Sequence, residues 1–366
     1  MTGIAALSLI ALDQTEPGQT TQGQTGETQA TAPAKETKLH PVQEQSMKAI
    51  RVHEFGGPEV LRLEDVPTPR PGPGQVLVRM HAIGVNPVET YIRMGTYAYK
   101  PTLPYTPGND GAGIVEEIGS DVSEVKPGDR VYTAKTITGA YAEYCLVLEN
   151  QIQALPANIS FVQGAGIFVP YATAYHALLH EAKARASETV LIHGASGGVG
   201  TAAIQLARSM GLTIFGTAGT LKGLELIRKE GAHQAFDHKK PGYTDDIMKA
   251  TGGRGVDVIL EMLANVNLAA DLKLLAIHGR VIIIGNRGEI TINPRDFMAR
   301  RSSARGFTLW AATEAELNDC FAGIGAGLTN GTLRPIVGKE LPLKDAPQAH
   351  IDVLAPGAHG KIALIP

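Results

Sequence analysis

The run Gly194-Ala-Ser-Gly-Gly-Val-Gly200 constrains this chain more than any other stretch. An aliphatic segment at 189–193 precedes it, and Val199, Ala203, Leu206 and Met210 then recur at the spacing of one helix face until Gly211 stops the helix. Strand, glycine turn and helix in that order cradle a pyrophosphate. The glycines let the backbone turn tightly and come close, and the first helical amides meet the negative charge. The spelling departs from G-x-G-x-x-G, yet Gly198 stands where backbone meets ligand and Gly200 where helix meets strand. Ser196 adds a hydroxyl donor.

The surroundings agree. From about 166 onward, strand-like runs at 189–193, 212–216, 256–262, 280–285 and 306–310 alternate with helical segments, the first at 171–181 and a later one from about Thr313. Val281-Ile-Ile-Ile284 suits a strand covered on both faces. An α/β fold with a Rossmann doubly wound parallel sheet is therefore expected over 166–330. Between 47 and 165, β-type runs at 75–81, 113–118, 129–133 and 142–147 are broken by Gly and Pro, as in a compact, mostly β domain. The stretch 331–366 is again strand-like and Pro-punctuated, and is expected to return to that first domain. Residues 1–46, a Thr/Gln/Gly/Glu tract after Leu12, read as a disordered N-terminal extension.

The second half of the fingerprint selects the dinucleotide. NAD enzymes place a carboxylate about 20 residues after the loop to grip the ribose 2′-hydroxyl. Between Thr189 and Leu224 there is no Asp or Glu, and Gly216-Thr-Ala-Gly-Thr220 is followed by Lys222. Hydroxyls, amides and a cation would receive a 2′-phosphate, and His238, Lys239 and Lys240 follow the third strand beside them. The expected cofactor is NADPH.

Composition closes other routes. A formal charge of -3 gives no general attraction for nucleic acid or anionic membrane. No run approaches the ~20 apolar residues of a membrane span. The only cysteines, Cys145 and Cys320, make neither a disulfide framework nor an all-thiolate zinc site. The apolar segment 3–12 has no Lys or Arg before it, unlike a secretory signal, so a cytoplasmic location is expected.

Several motifs together resemble one superfamily. Gly84-Val-Asn-Pro-Val-Glu-Thr-Tyr-Ile-Arg93, Pro104-Tyr-Thr-Pro-Gly-Asn-Asp-Gly-Ala-Gly113, Pro127-Gly-Asp-Arg-Val131 and the Gly194 loop are similar to those of the medium-chain dehydrogenases/reductases. Leu263-Ala-Asn-Val-Asn-Leu268 and Ile292-Asn-Pro-Arg-Asp296 single out the zinc-free quinone-reductase subgroup, that of zeta-crystallin. The resemblance implies a GroES-like catalytic domain at 47–165 and 331–366 around the Rossmann domain. It also implies an NADPH:quinone oxidoreductase, assembled as a homo-oligomer, dimer or tetramer, that reduces small quinones to semiquinones. Zinc members carry a Cys where Asn86 stands and a His where Asn109 stands, so no zinc is expected there.

By the same resemblance the cofactor falls on Tyr91, Ser196, Gly197, Gly198, Val199, Gly219, His238 and Asn267. Ile284, Gly285, Asn286, Arg287, Phe307, Thr308 and Leu309 complete that set. Bacterial relatives hold the 2′-phosphate with a Lys and a Tyr where Gly223 and His238 align, and Lys222 is taken as the substitute cation. Thr173 is added as a nicotinamide contact on the helix entering the domain. Asn86 and Tyr91 are expected to position substrate, though Asn86-Pro-Val-Glu89 equally spells a capped helix start. No general acid or base is identified.

Two other readings remain. The same site would reduce an activated C=C bond, in 2-alkenals or enones, if Tyr91 delivered a proton. Alternatively, a structural crystallin or AU-rich RNA binder would use the basic stretch Arg295, Arg300, Arg301 and Arg305, which net charge does not support.

Overall fold

The computed structural model describes residues 45–366, so the extension expected at 1–46 lies almost wholly outside the described residues. β1 (Ser46–Arg51) and β2 (Arg62–Pro67) form an antiparallel ribbon. The long β3 (Gln75–Val85) then centres a larger sheet with β4 (Asp110–Ile118), β5 (Arg130–Ala134), β6 (Tyr144–Leu148) and β7 (Ile152–Ala154). Ile50, Val78, Ile83, Val115 and Tyr141 pack inside it. Each such buried side chain contributes about 1.5–3 kcal/mol.

The second sheet holds β8 (Thr189–Ile192), β9 (Thr213–Ala218), β10 (Gln234–Asp237), β11 (Val256–Glu261), β12 (Leu275–Ile283) and β13 (Ser303–Gly306). All pairs are parallel, in the order β10-β9-β8-β11-β12-β13. This is the doubly wound order, and it reverses between β8 and β11, which opens a crevice at their carboxyl ends. Ile192, Ile204, Ile214, Leu260 and Ile282 are fully buried between this sheet and its helices. β14 (Val337–Pro342) and β15 (Lys361–Ile365) then leave the parallel sheet, and β15 pairs antiparallel with β3. The end of the chain is thus built into the first sheet.

Two local expectations are corrected. The sixth strand is Ser303–Gly306, not 306–310, because β12 pairs with it from Arg280↔Ser303 to Ile283↔Gly306. The apolar residues that suggested a later strand form a short 3-10 turn, Leu309–Ala311, with Leu309 in the core. The helix expected at 171–181 winds as wide π turns at Phe168–Ala172 and His176–Glu181 on either side of Thr173–Tyr175. Among the described residues no helix is long and apolar enough to cross a membrane.

Candidate functional site: a glycine turn at the sheet's switch point

The glycine turn leaves β8 at the reversal point. Gly194 takes a left-handed φ of 55°, and Thr217 on the neighbouring strand accepts from Gly194 N at 3.2 Å and from Ala195 N at 2.9 Å. A Cβ on Gly200 would stand 2.5 Å from Ala195 Cα, so only glycine lets the helix Gly198–Ser209 close on the turn. At Gly198 such a Cβ would rest in ordinary contact with Pro170 Cγ at 3.5 Å and Lys361 Cδ at 3.7 Å. Gly197 caps the helix without a side chain, and the first helical amides have no acceptor within it. These features fit a pyrophosphate, with Gly197, Gly198 and Val199 at the helix mouth. Ser196 behaves differently from expectation: its hydroxyl donates to Ala358 O at 2.6 Å, so it is spent on the protein.

That bond belongs to a strap the sequence did not reveal. Gly360 N donates to Ser196 O at 2.7 Å, Gly360 bridges Gly197, and a Cβ on Gly357 would lie 3.1 Å from Thr220 Cγ2. The segment before β15 therefore lies against the phosphate loop.

At the end of β9, Gly219 faces the loop after β10. A Cβ there would meet His238 Nε2 at 2.6 Å and Lys239 Cε at 3.0 Å. Burial, then His193, pushes the His238 imidazole below its usual range, so at neutral pH it offers hydrogen bonds rather than charge. Lys240 instead pairs with Asp246 at 3.0 Å. Lys222 is exposed on the helix Leu221–Glu230, whose cap Thr220 accepts from Gly223 N. It lies close enough to His359 to help burial lower that imidazole's pKa.

Around the crevice, the carboxyl ends of β11 and β12 are tied together. Ile284 N and Gly285 N donate to Glu261 O at 2.8 and 3.2 Å, and Ala264 N to Gly285 O at 3.0 Å. A Cβ on Gly285 would stand 2.3 Å from Met262 O. Asn267 Nδ2 reaches Glu261 Oε1 at 3.2 Å, and Asn286 Nδ2 reaches Gly288 O. Arg287 Nε donates to Tyr91 Oη at 3.0 Å, which joins two expected cofactor residues from different sheets. Phe307 lies against His176 with ring centroids 4.9 Å apart, Thr308 is exposed, and the Leu309 side chain is turned into the core. Thr173 is buried on the entering helix.

Asn86 departs from its expected substrate role. It is 3% exposed, and its Nδ2 donates to Asp110 Oδ2 at 3.0 Å and Glu89 Oε1 at 3.3 Å while Oδ1 accepts from Lys361 Nζ. With both ends of the amide engaged, no donor is left free for a substrate carbonyl. The capping half that does form is Glu89 Oε2 accepting from Asn86 N at 2.9 Å. Lys361 also pairs with Asp110 at 2.8 Å, both nearly fully buried. The same network continues through Tyr141, whose hydroxyl donates to Glu89 Oε2 at 2.7 Å and contacts His350 Nε2 at 3.1 Å. Burial pushes Glu89 up to about 7, against the pull of Asn86 N and Lys361. Sequence reasoning missed Asp110 and Lys361. The lysine's place at the start of the apolar strand β15 was the available signal.

Two cavities flank these features. One of about 310 Å³ is lined by Glu89, Tyr99, Tyr105 and Asn109 in the first sheet's domain. The other, about 350 Å³, opens at Thr189, Thr213 and Gln234, the amino ends of the parallel strands. Open α/β sheets bind ligand at the opposite end, so the second cavity is not the cofactor site.

Comparison with known proteins agrees with this geometry. Residues 72–184 match the alcohol dehydrogenase GroES-like domain and residues 198–322 the zinc-binding dehydrogenase family. The human protein named quinone oxidoreductase is 52% identical over 321 residues, 87% of this chain and 98% of that protein. The structure of Escherichia coli quinone oxidoreductase complexed with NADPH superposes with a TM-score of 0.78 at 31% identity, over 87% of this chain and all of that one. An NAD-dependent alcohol dehydrogenase superposes with a TM-score of 0.82 at 29% identity and the same coverage, so the fold alone does not select the cofactor. The chain belongs to the quinone oxidoreductase family of the medium-chain dehydrogenase/reductase superfamily.

Proposed function

We propose that this protein is an NADPH-dependent quinone reductase that works without a catalytic zinc and passes single electrons to ortho- and para-quinones. The observation that carries the reading is the carboxylate-free run from Thr189 to Leu224, ending beside Gly219, His238, Lys239 and Lys222, within a chain 52% identical to a quinone oxidoreductase. When bound, NADPH supplies reducing equivalents from its dihydropyridine C4.

The chain's own residues position and shield. The amides at Gly198 and Val199 hold the pyrophosphate, Lys222 and Lys239 supply cationic charge for the 2′-phosphate, and His238 adds a neutral imidazole. Gly285 and Arg287 edge the crevice, and Tyr91 is held toward it by Arg287. Where zinc relatives place a thiolate, the Asn86 amide is clamped by Lys361 and Asp110, a donor set suited to a protein ammonium rather than a metal ion. A quinone is already electrophilic and its reduced form is resonance-stabilised, so positioning suffices.

The test is NADPH oxidation with 9,10-phenanthrenequinone, read together with electron paramagnetic resonance. Rapid turnover with a quinone radical signal is expected. Absence of turnover with any quinone contradicts the reading. A second reading, reduction of 2-alkenals, draws on one contact: Tyr91 Oη accepts from Arg287, which leaves its own proton free to donate. Turnover of 2-alkenals lost in Tyr91→Phe would favour it.

A further inference from the structure

Away from the crevice, the described residues gather a set of metal-ligating side chains that the reaction does not use. His176 and His180 lie on the π-wound segment His176–Glu181, and Cys320 reaches them from the helix Glu314–Thr329. One ligand atom of each lies within 4.8 Å of the others. A count of two cysteines excludes an all-thiolate site, but not one built mainly from imidazole.

The convergence of these three ligand atoms, with carboxylates behind the rings, is what suits an ion. His180 Nε2 faces Asp319 Oδ2 at 2.8 Å and His176 Nε2 faces Glu181 Oε1 at 3.5 Å. The two Nδ1 atoms face each other at 3.0 Å, bridged by one proton when His176 carries it on Nδ1, and both present lone pairs once that proton moves to Nε2 beside Glu181. A cation between the rings takes the place of that shared proton, which shifts to His176 Nε2. Imidazoles held by carboxylates on their outer nitrogens are also the usual support of metal-bound histidine. Burial, then His180, pushes the His176 imidazole below its usual range and so keeps it in the neutral, ligating form. Glu316 adds a third acid facing both histidines.

We propose that His176 Nδ1, His180 Nδ1 and the Cys320 thiolate bind a zinc ion, with water in the fourth position on the partly exposed side of His180. Zinc–nitrogen bonds of about 2.0–2.1 Å and a zinc–sulfur bond of about 2.3 Å place tetrahedral donors roughly 3.3–3.7 Å apart. The two nitrogens, 3.0 Å apart, need to open by a few tenths of an ångström. Burial pushes the Cys320 thiol up to about 12, but a coordinated thiol is deprotonated outright, so the ion replaces that proton and releases it to solvent. The ion would fasten the π-wound segment to the helix Glu314–Thr329, behind the Phe307 ring that lies on His176.

The full chain, stripped with a chelator, is titrated with Co²⁺ as a coloured stand-in for Zn²⁺. Saturable binding of a single ion per chain with a thiolate-to-cobalt charge-transfer band is expected, bleached by added Zn²⁺. The band should vanish in Cys320→Ser and persist in Cys145→Ser. Cys320 is fully buried, so His180→Gln, at the partly exposed edge, serves as the second variant. It should weaken Co²⁺ binding by more than the roughly 10–100-fold that loss of an outer partner costs. Binding without the thiolate band would place the ion on the buried His193, Glu261 and Asp271 cluster and overturn the proposal. A band surviving in His180→Gln at unchanged affinity, or no saturable binding, would overturn it equally.

Discussion

Arg287 Nε and Tyr91 Oη, 196 positions apart in the chain, meet at 3.0 Å. Tyr91 belongs to the short helix Pro87–Arg93 that follows β3, and Arg287 to the loop after β12, so the bond ties the first sheet to the carboxyl edge of the parallel one. A hydrogen bond of this kind is worth about 1 kcal/mol. Tyr91→Phe is therefore expected to lower Tm by about 2 °C and, if the tyrosine also contacts the cofactor, to weaken NADPH binding about fivefold in a fluorescence titration. Unaltered affinity would remove Tyr91 from the cofactor site.

The two glycines of Gly198-Val-Gly200 should respond differently to alanine. At Gly198 a methyl would lie in ordinary contact with Pro170 and Lys361, at 3.5 Å and 3.7 Å, so Gly198→Ala should leave Tm in place, and a raised KM for NADPH would mark the ligand's approach to the turn. At Gly200 the methyl would stand 2.5 Å from Ala195 Cα, so Gly200→Ala should lower Tm as well. Calorimetry and steady-state kinetics on both variants separate the two effects.

Lys222 tests the 2′-phosphate end. A charge-assisted hydrogen bond contributes about 1.5–3 kcal/mol, so Lys222→Ala should cost roughly tenfold or more in NADPH affinity and leave NADH affinity unchanged. An equal loss for both cofactors would mean that the lysine does not reach the phosphate.

Much of this was legible beforehand. β-runs and helical periods located the parallel sheet, because its strands are continuous aliphatic segments and its helices carry a 3.6-residue repeat. Motif order located the loop. The register of β13 was not legible, since Phe307 and Leu309 are as apolar as strand residues and only pairing with β12 distinguishes them. The strap over the phosphate loop was hidden too, because it is made by backbone groups of residues 357–360 that carry no side-chain pattern. Asn86 was recognised as the missing zinc ligand, but its engagement depends on Lys361, 275 positions away.

Glu89 predicts a pH effect. Its carboxyl is pushed up to about 7 from an ordinary 4.5, chiefly by burial, so the folded chain holds the proton more tightly than the unfolded one. That contribution to stability is complete below the unfolded value and is lost as pH rises through the folded one. Glu89→Gln cannot ionise. Its Tm relative to the parent should therefore rise between about pH 5 and about pH 8. A difference independent of pH would show that Glu89 does not titrate in that window.

The choice of NADPH over NADH is tested most directly by kcat/KM for the two cofactors, measured with one para-quinone at fixed saturating concentration. The absence of a carboxylate after the glycine loop, with His238 and Lys239 at Gly219 and Lys222 on the helix that follows, predicts a preference for NADPH of at least roughly tenfold, about 1.4 kcal/mol. Equal values, or a preference for NADH, would contradict it.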